Sequence, residues 1–180
     1  MISSKKYVDE TLRNNNLTAN KALGQNFLVD EDIAKEIILK ANINKNSYVI
    51  EIGPGLGALS EIIATKTNCF KMYEIDKNMV NILNETFKEY KNVSITNIDF
   101  LKVDIEKLIS DANSHGYNDI IIISNLPYYI TSKLLNKILI NNLEINTFIA
   151  MMQKEVGQKI IKPDKKDLNP LSIILKYQYD

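Results

Sequence analysis

The chain has 180 residues, enough for one domain with a substantial core. Its 45% hydrophobic and 24% charged residues are ordinary for a globular protein, and no apolar run approaches the ~20 residues of a membrane-spanning helix. One cysteine (Cys69) and one histidine (His115) exclude an internal disulfide and argue against a transition-metal site, and the formal net charge of zero argues against a broad phosphate-binding surface.

Residues 3–15 predict a short polar helix, with Tyr7, Val8 and Leu12 as its apolar side and Asn14-Asn15-Asn16 as its end. The segment up to Phe27 has no strong period and reads as a loop. Asp30 is a good N-cap for a second helix carrying Ile33, Ile37, Ile38 and Ala41 at helical spacing. From Tyr48 onward strand and helix alternate. Strands are expected near 48–52, 69–74, 93–97, 119–124, 147–152 and 171–178. Helices are expected near 57–66, 76–90, 104–111, 131–141 and 154–161. This order predicts an α/β fold, a doubly wound and mostly parallel sheet with right-handed crossovers. Ligands then bind at the carboxyl ends of the strands. The charged run from Lys162 to Pro170 reads as a solvated loop. Cys69 starts a predicted buried strand and reads as a core thiol, which fits a reducing, cytoplasmic location.

The segment Val49-Ile50-Glu51-Ile52-Gly53-Pro54-Gly55-Leu56-Gly57-Ala58 reads as strand, glycine-rich turn and helix start. Glycines let the backbone approach a ligand closely. Gly53, Gly55 and Ala58 satisfy a dinucleotide pattern that asks for an acid about 20 residues on. Glu74 fills that place, at the end of a predicted strand, where a carboxylate can accept both hydroxyls of a ribose. By itself the pattern indicates an adenosine-containing cofactor, and NAD remains an alternative.

A second motif follows the strand Ile120–Ile123: Asn125-Leu126-Pro127-Tyr128. The Asn125 side-chain oxygen and the Leu126 carbonyl can both accept hydrogen bonds from an exocyclic amine. Pro127 fixes the turn, and Tyr128 offers a face for stacking on a base. The plainer reading is a strand-to-helix turn with an Asn cap.

Taken together, Glu51 with the glycine loop, Glu74 after strand two, Asp99 after strand three and Asn-Leu-Pro-Tyr after strand four resemble amino-methyltransferases. The further segments Leu23-Gly24-Gln25-Asn26-Phe27-Leu28-Val29-Asp30, Asn97-Ile98-Asp99-Phe100-Leu101 and Met152-Gln153-Lys154-Glu155-Val156 narrow the likeness. From about Lys21 onward the chain resembles the ribosomal RNA adenine N6,N6-dimethyltransferase family, in its bacterial small-subunit form.

The resemblance implies a class I, Rossmann-like fold dependent on S-adenosylmethionine, with S-adenosylhomocysteine as product. Residues 1–46 would be an N-terminal extension and 47–180 the catalytic domain, lacking a last strand and a C-terminal helical domain. Asn26, Leu28, Gly53, Gly55, Glu74, Asp99 and Asn125 would bind cofactor, with Glu51 as an anchor of the glycine loop. Asn125, Leu126 and Tyr128 would hold the target adenine; Tyr129 departs from close relatives and reads as packing. Asp99 has a rival role as a helix cap. The partner would be small-subunit rRNA in an immature ribosomal subunit, met by a monomer with no metal and no membrane. The competing readings are a large-subunit rRNA methyltransferase of the macrolide-resistance type, an NAD-dependent oxidoreductase and a noncatalytic RNA-binding assembly factor.

Overall fold

The computed structural model describes residues 1–126, 130–139, 143–161 and 171–173. Five strands, β1 (Ser47–Ile52), β2 (Cys69–Glu74), β3 (Val93–Asn97), β4 (Asp119–Asn125) and β5 (Thr147–Met151), form one sheet in the order β3-β2-β1-β4-β5. Every neighbouring pair is parallel. The chain winds outward from β1 to β3, returns to the centre and winds out again through β4 and β5. Strand order therefore reverses between β1 and β4, which opens a crevice at their carboxyl ends.

The central strands are apolar on both faces because both are covered. In the four-isoleucine run of β4, Ile121 and Ile123 join Val49, Phe70 and Met72 in one layer. Ile120 and Ile122 join Tyr48, Ile50 and Ile52 in the other. The period of two in a strand makes this partition unavoidable. Each buried isoleucine contributes about 1.5–3 kcal/mol relative to exposure.

The first layer is covered by α1 (Lys5–Asn14), α2 (Glu31–Lys40), α3 (Ser60–Lys66) and α4 (Lys77–Thr86), through Val8, Ile38, Ile63 and Leu83 among others. The second is covered by α5 (Ile105–Ser114), α6 (Thr131–Leu139) and α7 (Lys154–Ile161), through Ile109, Ile138 and Ile160. Ser4, Asp30, Asp76 and Asp104 cap α1, α2, α4 and α5 by accepting from backbone N–H groups. A cap of this kind is worth about 1 kcal/mol.

Several details depart from the sequence expectation, and the helix expected over 76–90 ends at Thr86. Residues 55–59 form turns, with Gly57 N–H donating to the Pro54 carbonyl at 2.9 Å, so α3 starts at Ser60 and not near residue 57. Inside the segment expected as loop, Lys21–Leu23 form a 3₁₀ turn capped by Asn20. Residues 171–173, expected to open a strand, are helical, with Leu171 and Ser172 buried. The Asn169-Pro170 pair ahead of them in the sequence is also a helix-start signal, which competes with the strand reading. The expected loop 162–170 and the remainder of that strand lie outside the described residues.

Candidate functional site

The glycine loop leaves β1 at the crevice and is tied to β2 by Gly53 N–H, which donates to the Tyr73 carbonyl at 2.9 Å. Gly53 and Gly55 both have left-handed backbones, with φ of +68° and +59°. A side chain at Gly55 would meet the Phe27 ring at 3.2 Å, whereas at Gly53 nothing lies within 4 Å of the missing Cβ. Gly55 is thus fixed by packing, and Gly53 by backbone shape beside open space.

Three carboxylates line the same cleft as the loop. Glu51 is 2% exposed, and its Oε2 accepts from Ser60 Oγ at 2.6 Å, pinning the start of α3. Burial pushes its carboxyl up to about 8 against the pull of that hydrogen bond, with nearby Glu74 adding to the rise. Glu74, at the end of β2, accepts from Gly55 N–H at 3.1 Å through Oε2 and from Asp76 N–H at 2.9 Å through Oε1. Burial raises its pKa too, and these backbone donors oppose the rise. Asp99 follows β3, and its Oδ1 accepts from Leu101 N–H at 3.0 Å, so the capping role is present. Its Oδ2 has no protein partner among the described residues. The T-shaped pair Tyr73–Phe100, with ring centroids 5.1 Å apart, backs this corner.

Asn125 ends β4. Its Nδ2 donates to the backbone carbonyl of Asn26 at 2.9 Å, which sets the amide and leaves Oδ1 as an acceptor. Leu126 is buried, and its N–H donates to the Met151 carbonyl at 2.9 Å, carrying the β4–β5 pairing one residue past the strand. Leu28 and Phe27 are half-buried against the first core layer. Tyr128 and Tyr129 lie outside the described residues.

One cleft gathers Asn26, Leu28, Gly53, Gly55, Glu74, Asp99, Asn125 and Leu126, enclosing about 1020 Å³ with the open mouth included. That is the scale of a small-molecule site. It also contains groups that sequence reasoning missed. Ile75, 44% exposed, and Ile98 line it beside Glu74 and Asp99. Gln25 lines it too, and donates from Nε2 to Asp76 Oδ2 at 2.7 Å. No local pattern could have revealed that bond, because its partners are 51 positions apart. Among the described residues no His, Cys, Asp and Glu group is placed to hold a metal, and no helix is long and apolar enough to cross a membrane.

A parallel sheet with this strand order, a glycine loop after β1 and an acid after β2 is the Rossmann-like fold of class I methyltransferases. Residues 16–180 match the family described as ribosomal RNA adenine dimethylase, and the chain belongs to that family. A ribosomal RNA small subunit methyltransferase A from Lysinibacillus sphaericus (strain C3-41) is 41% identical over 169 residues, covering 93% of this chain and 57% of that protein. Among solved structures, the 23S rRNA methyltransferase ErmE aligns with a TM-score of 0.60 at 26% identity, over 74% of this chain and 50% of that one. A dimethyladenosine transferase from Plasmodium falciparum aligns with a TM-score of 0.65 at 23% identity, over 82% and 50%. The chain spans about half the length of the curated relatives it matches. Family membership removes the oxidoreductase reading.

Proposed function

We infer that the protein transfers two methyl groups from S-adenosylmethionine to the N6 amino group of adenosines in small-subunit rRNA, in an immature ribosomal subunit in the cytoplasm. The observation that carries this reading is the Asn125 amide, turned by the Asn26 carbonyl so that its oxygen remains available at the cleft. The small-subunit choice is supported by relatives of that type at 41–44% identity, against 26% for the large-subunit enzyme.

The residues present fit the cofactor. The open space over Gly53 admits a ligand against the backbone. Glu74 retains a second lone pair on each oxygen for the ribose hydroxyls, and Asp99 Oδ2 is available to the adenine amine. Asn26 and Leu28 supply the opposite wall. When bound, S-adenosylmethionine supplies an already activated methyl group on a sulfonium.

The adenine N6 lone pair is delocalised into its ring, which makes the amine a poor nucleophile. In the first transfer Asn125 Oδ1 and the Leu126 carbonyl accept its two N–H groups, and in the second one of them accepts the single N–H that remains. That favours a pyramidal nitrogen and stabilises the positive charge that develops on it. The remaining task is in-line positioning, and no strong general base is required, because the methylated ammonium is acidic enough to release its proton to water. Tyr128 is assigned to stack on the base, which must be splayed out of its helix to enter.

Parallel calorimetric titrations with S-adenosylhomocysteine and NAD test the cofactor half. Binding of the first alone supports the reading, and binding of NAD alone overturns it. Methyl incorporation into immature small subunits, compared with large-subunit rRNA, tests the substrate half.

A further inference from the structure

Residues 20–28 carry one wall of the cleft, lined by Leu23 to Leu28, without belonging to the sheet or to a long helix. Their fold is held by Gln25. Its Oε1 accepts from Asn20 N–H at 2.8 Å, and its own backbone N–H donates to the Asn20 carbonyl at 3.2 Å. The other end of the same amide, Nε2, donates to Asp76 Oδ2 at 2.7 Å. Asp76 is fully engaged as well. Its Oδ1 caps α4 by accepting from Asn78 N–H at 2.9 Å, and its backbone N–H donates to Glu74 Oε1 at 2.9 Å. Glu74 Oε2 accepts from Gly55 N–H, and the Phe27 ring of the same wall lies over Gly55. The contacts therefore close a ring: wall, Asp76, Glu74, Gly55 and back to the wall.

We propose that Gln25 and Asp76 form a latch, two positioning residues that hold the 20–28 wall against the cleft and hold Glu74 in its binding orientation. The inference rests on the reading of the cleft as an S-adenosylmethionine site. If the wall opens, Asn26 and Leu28 leave the cleft and the Asn26 carbonyl leaves Asn125. Apparent affinity then falls in proportion to the closed fraction. The direction of the latch is fixed chemically. The Gln25 amide has one accepting end and one donating end, and each already has a partner that needs it.

That polarity supplies the test. Gln25→Glu sets two carboxylates against each other. Asp76→Asn, with Oδ1 kept on Asn78 N–H, turns an NH₂ toward the Gln25 NH₂. Flipping Gln25 would only move the clash to Asn20 N–H. The double variant, Gln25→Glu combined with Asp76→Asn, restores every bond with the latch reversed. The new amide at position 76 donates to the new carboxylate at position 25. That carboxylate still accepts from Asn20 N–H, and the cap of α4 remains. Asn and Asp are comparable N-caps, so urea midpoints should change little in all three variants.

In the 180-residue chain, S-adenosylhomocysteine is titrated by calorimetry and amide exchange is followed at residues 20–28. Each single variant should weaken binding about tenfold and speed exchange of the wall, and the double variant should return both toward wild type. A double variant no better than the singles, or single variants that behave as wild type, overturns the latch. If the wild-type chain fails to bind S-adenosylhomocysteine, the functional reading falls, and the exchange pattern of the four proteins decides the latch alone.

Discussion

The side chain of Asn125 donates to the backbone carbonyl of Asn26 at 2.9 Å, across 99 positions of sequence. One end of the amide is thereby committed to the N-terminal wall, and the other remains an acceptor in the cleft. The proposed reaction needs an acceptor there, and aspartate could not make the same pair of contacts. Asn125→Ala should lower methyl transfer to immature small subunits by about 10²–10³, the usual cost of losing a preorganised group at a reacting centre. S-adenosylhomocysteine affinity should fall much less. Near-normal turnover in single-turnover assays would remove Asn125 from the chemistry.

Glu74 sits at the carboxyl end of β2 with both oxygens tied to backbone N–H groups of Gly55 and Asp76. Glu74→Ala should weaken cofactor binding by about 1.5–3 kcal/mol, the range for hydrogen bonds to a charged group. Calorimetry on the two proteins checks it, and equal affinities would exclude the carboxylate from the ribose position.

The two glycines of the loop should separate stability from binding. Gly55→Ala meets both a left-handed backbone at φ +59° and the Phe27 ring at 3.2 Å. A non-glycine residue in that conformation costs about 1–2 kcal/mol, and the ring contact adds to it. Gly53→Ala carries the backbone cost alone, with its methyl in open space. Urea denaturation should therefore show the larger loss at Gly55. The affinity loss per unit of stability lost should be larger at Gly53. The reverse order would contradict the proposed path of the ligand over Gly53.

Glu51 gives a pH signature. Its folded-state pKa is raised to about 8 by burial, above its ordinary value of 4.5. The folded protein thus holds a proton that the unfolded chain releases. The contribution is fully present below about pH 4.5 and is lost as pH rises through about 8, at no more than about 1.4 kcal/mol per pH unit. Glu74 is shifted in the same direction and adds to the trend. Glu51→Gln keeps an acceptor for Ser60 Oγ and removes the charge. Its melting temperature should gain on wild type as pH rises from about 5 to about 9, while the two proteins differ little near pH 4.5. Parallel pH profiles for the two proteins would mean that Glu51 stays ionised in the fold.

Much of the architecture was legible locally. The four isoleucines of β4, all β-branched and set before a turn signal, favoured a strand buried on both faces, and Asp30 stands where a helix cap belongs. The spacing from Gly53 to Glu74 and the Asn-Leu-Pro-Tyr segment pointed to an adenosine-containing cofactor and an exocyclic amine, with NAD and a plain strand-to-helix turn left open. These signals survive in one dimension because strand period, caps and turn glycines depend on neighbours within a few residues. The helical Leu171–Ile173 turn escapes such reading because a short apolar run fits a strand or a helix equally well until its packing is known. Asp99 showed the same ambiguity; it caps with one oxygen and faces the cleft with the other free of protein partners among the described residues. Tertiary structure alone decided the orientation of Asn125, the raised pKa of Glu51 and the Gln25–Asp76 bond. Each depends on burial or on groups that only the packed fold brings together, and a contact spanning 51 or 99 positions leaves no trace in the local pattern at either end.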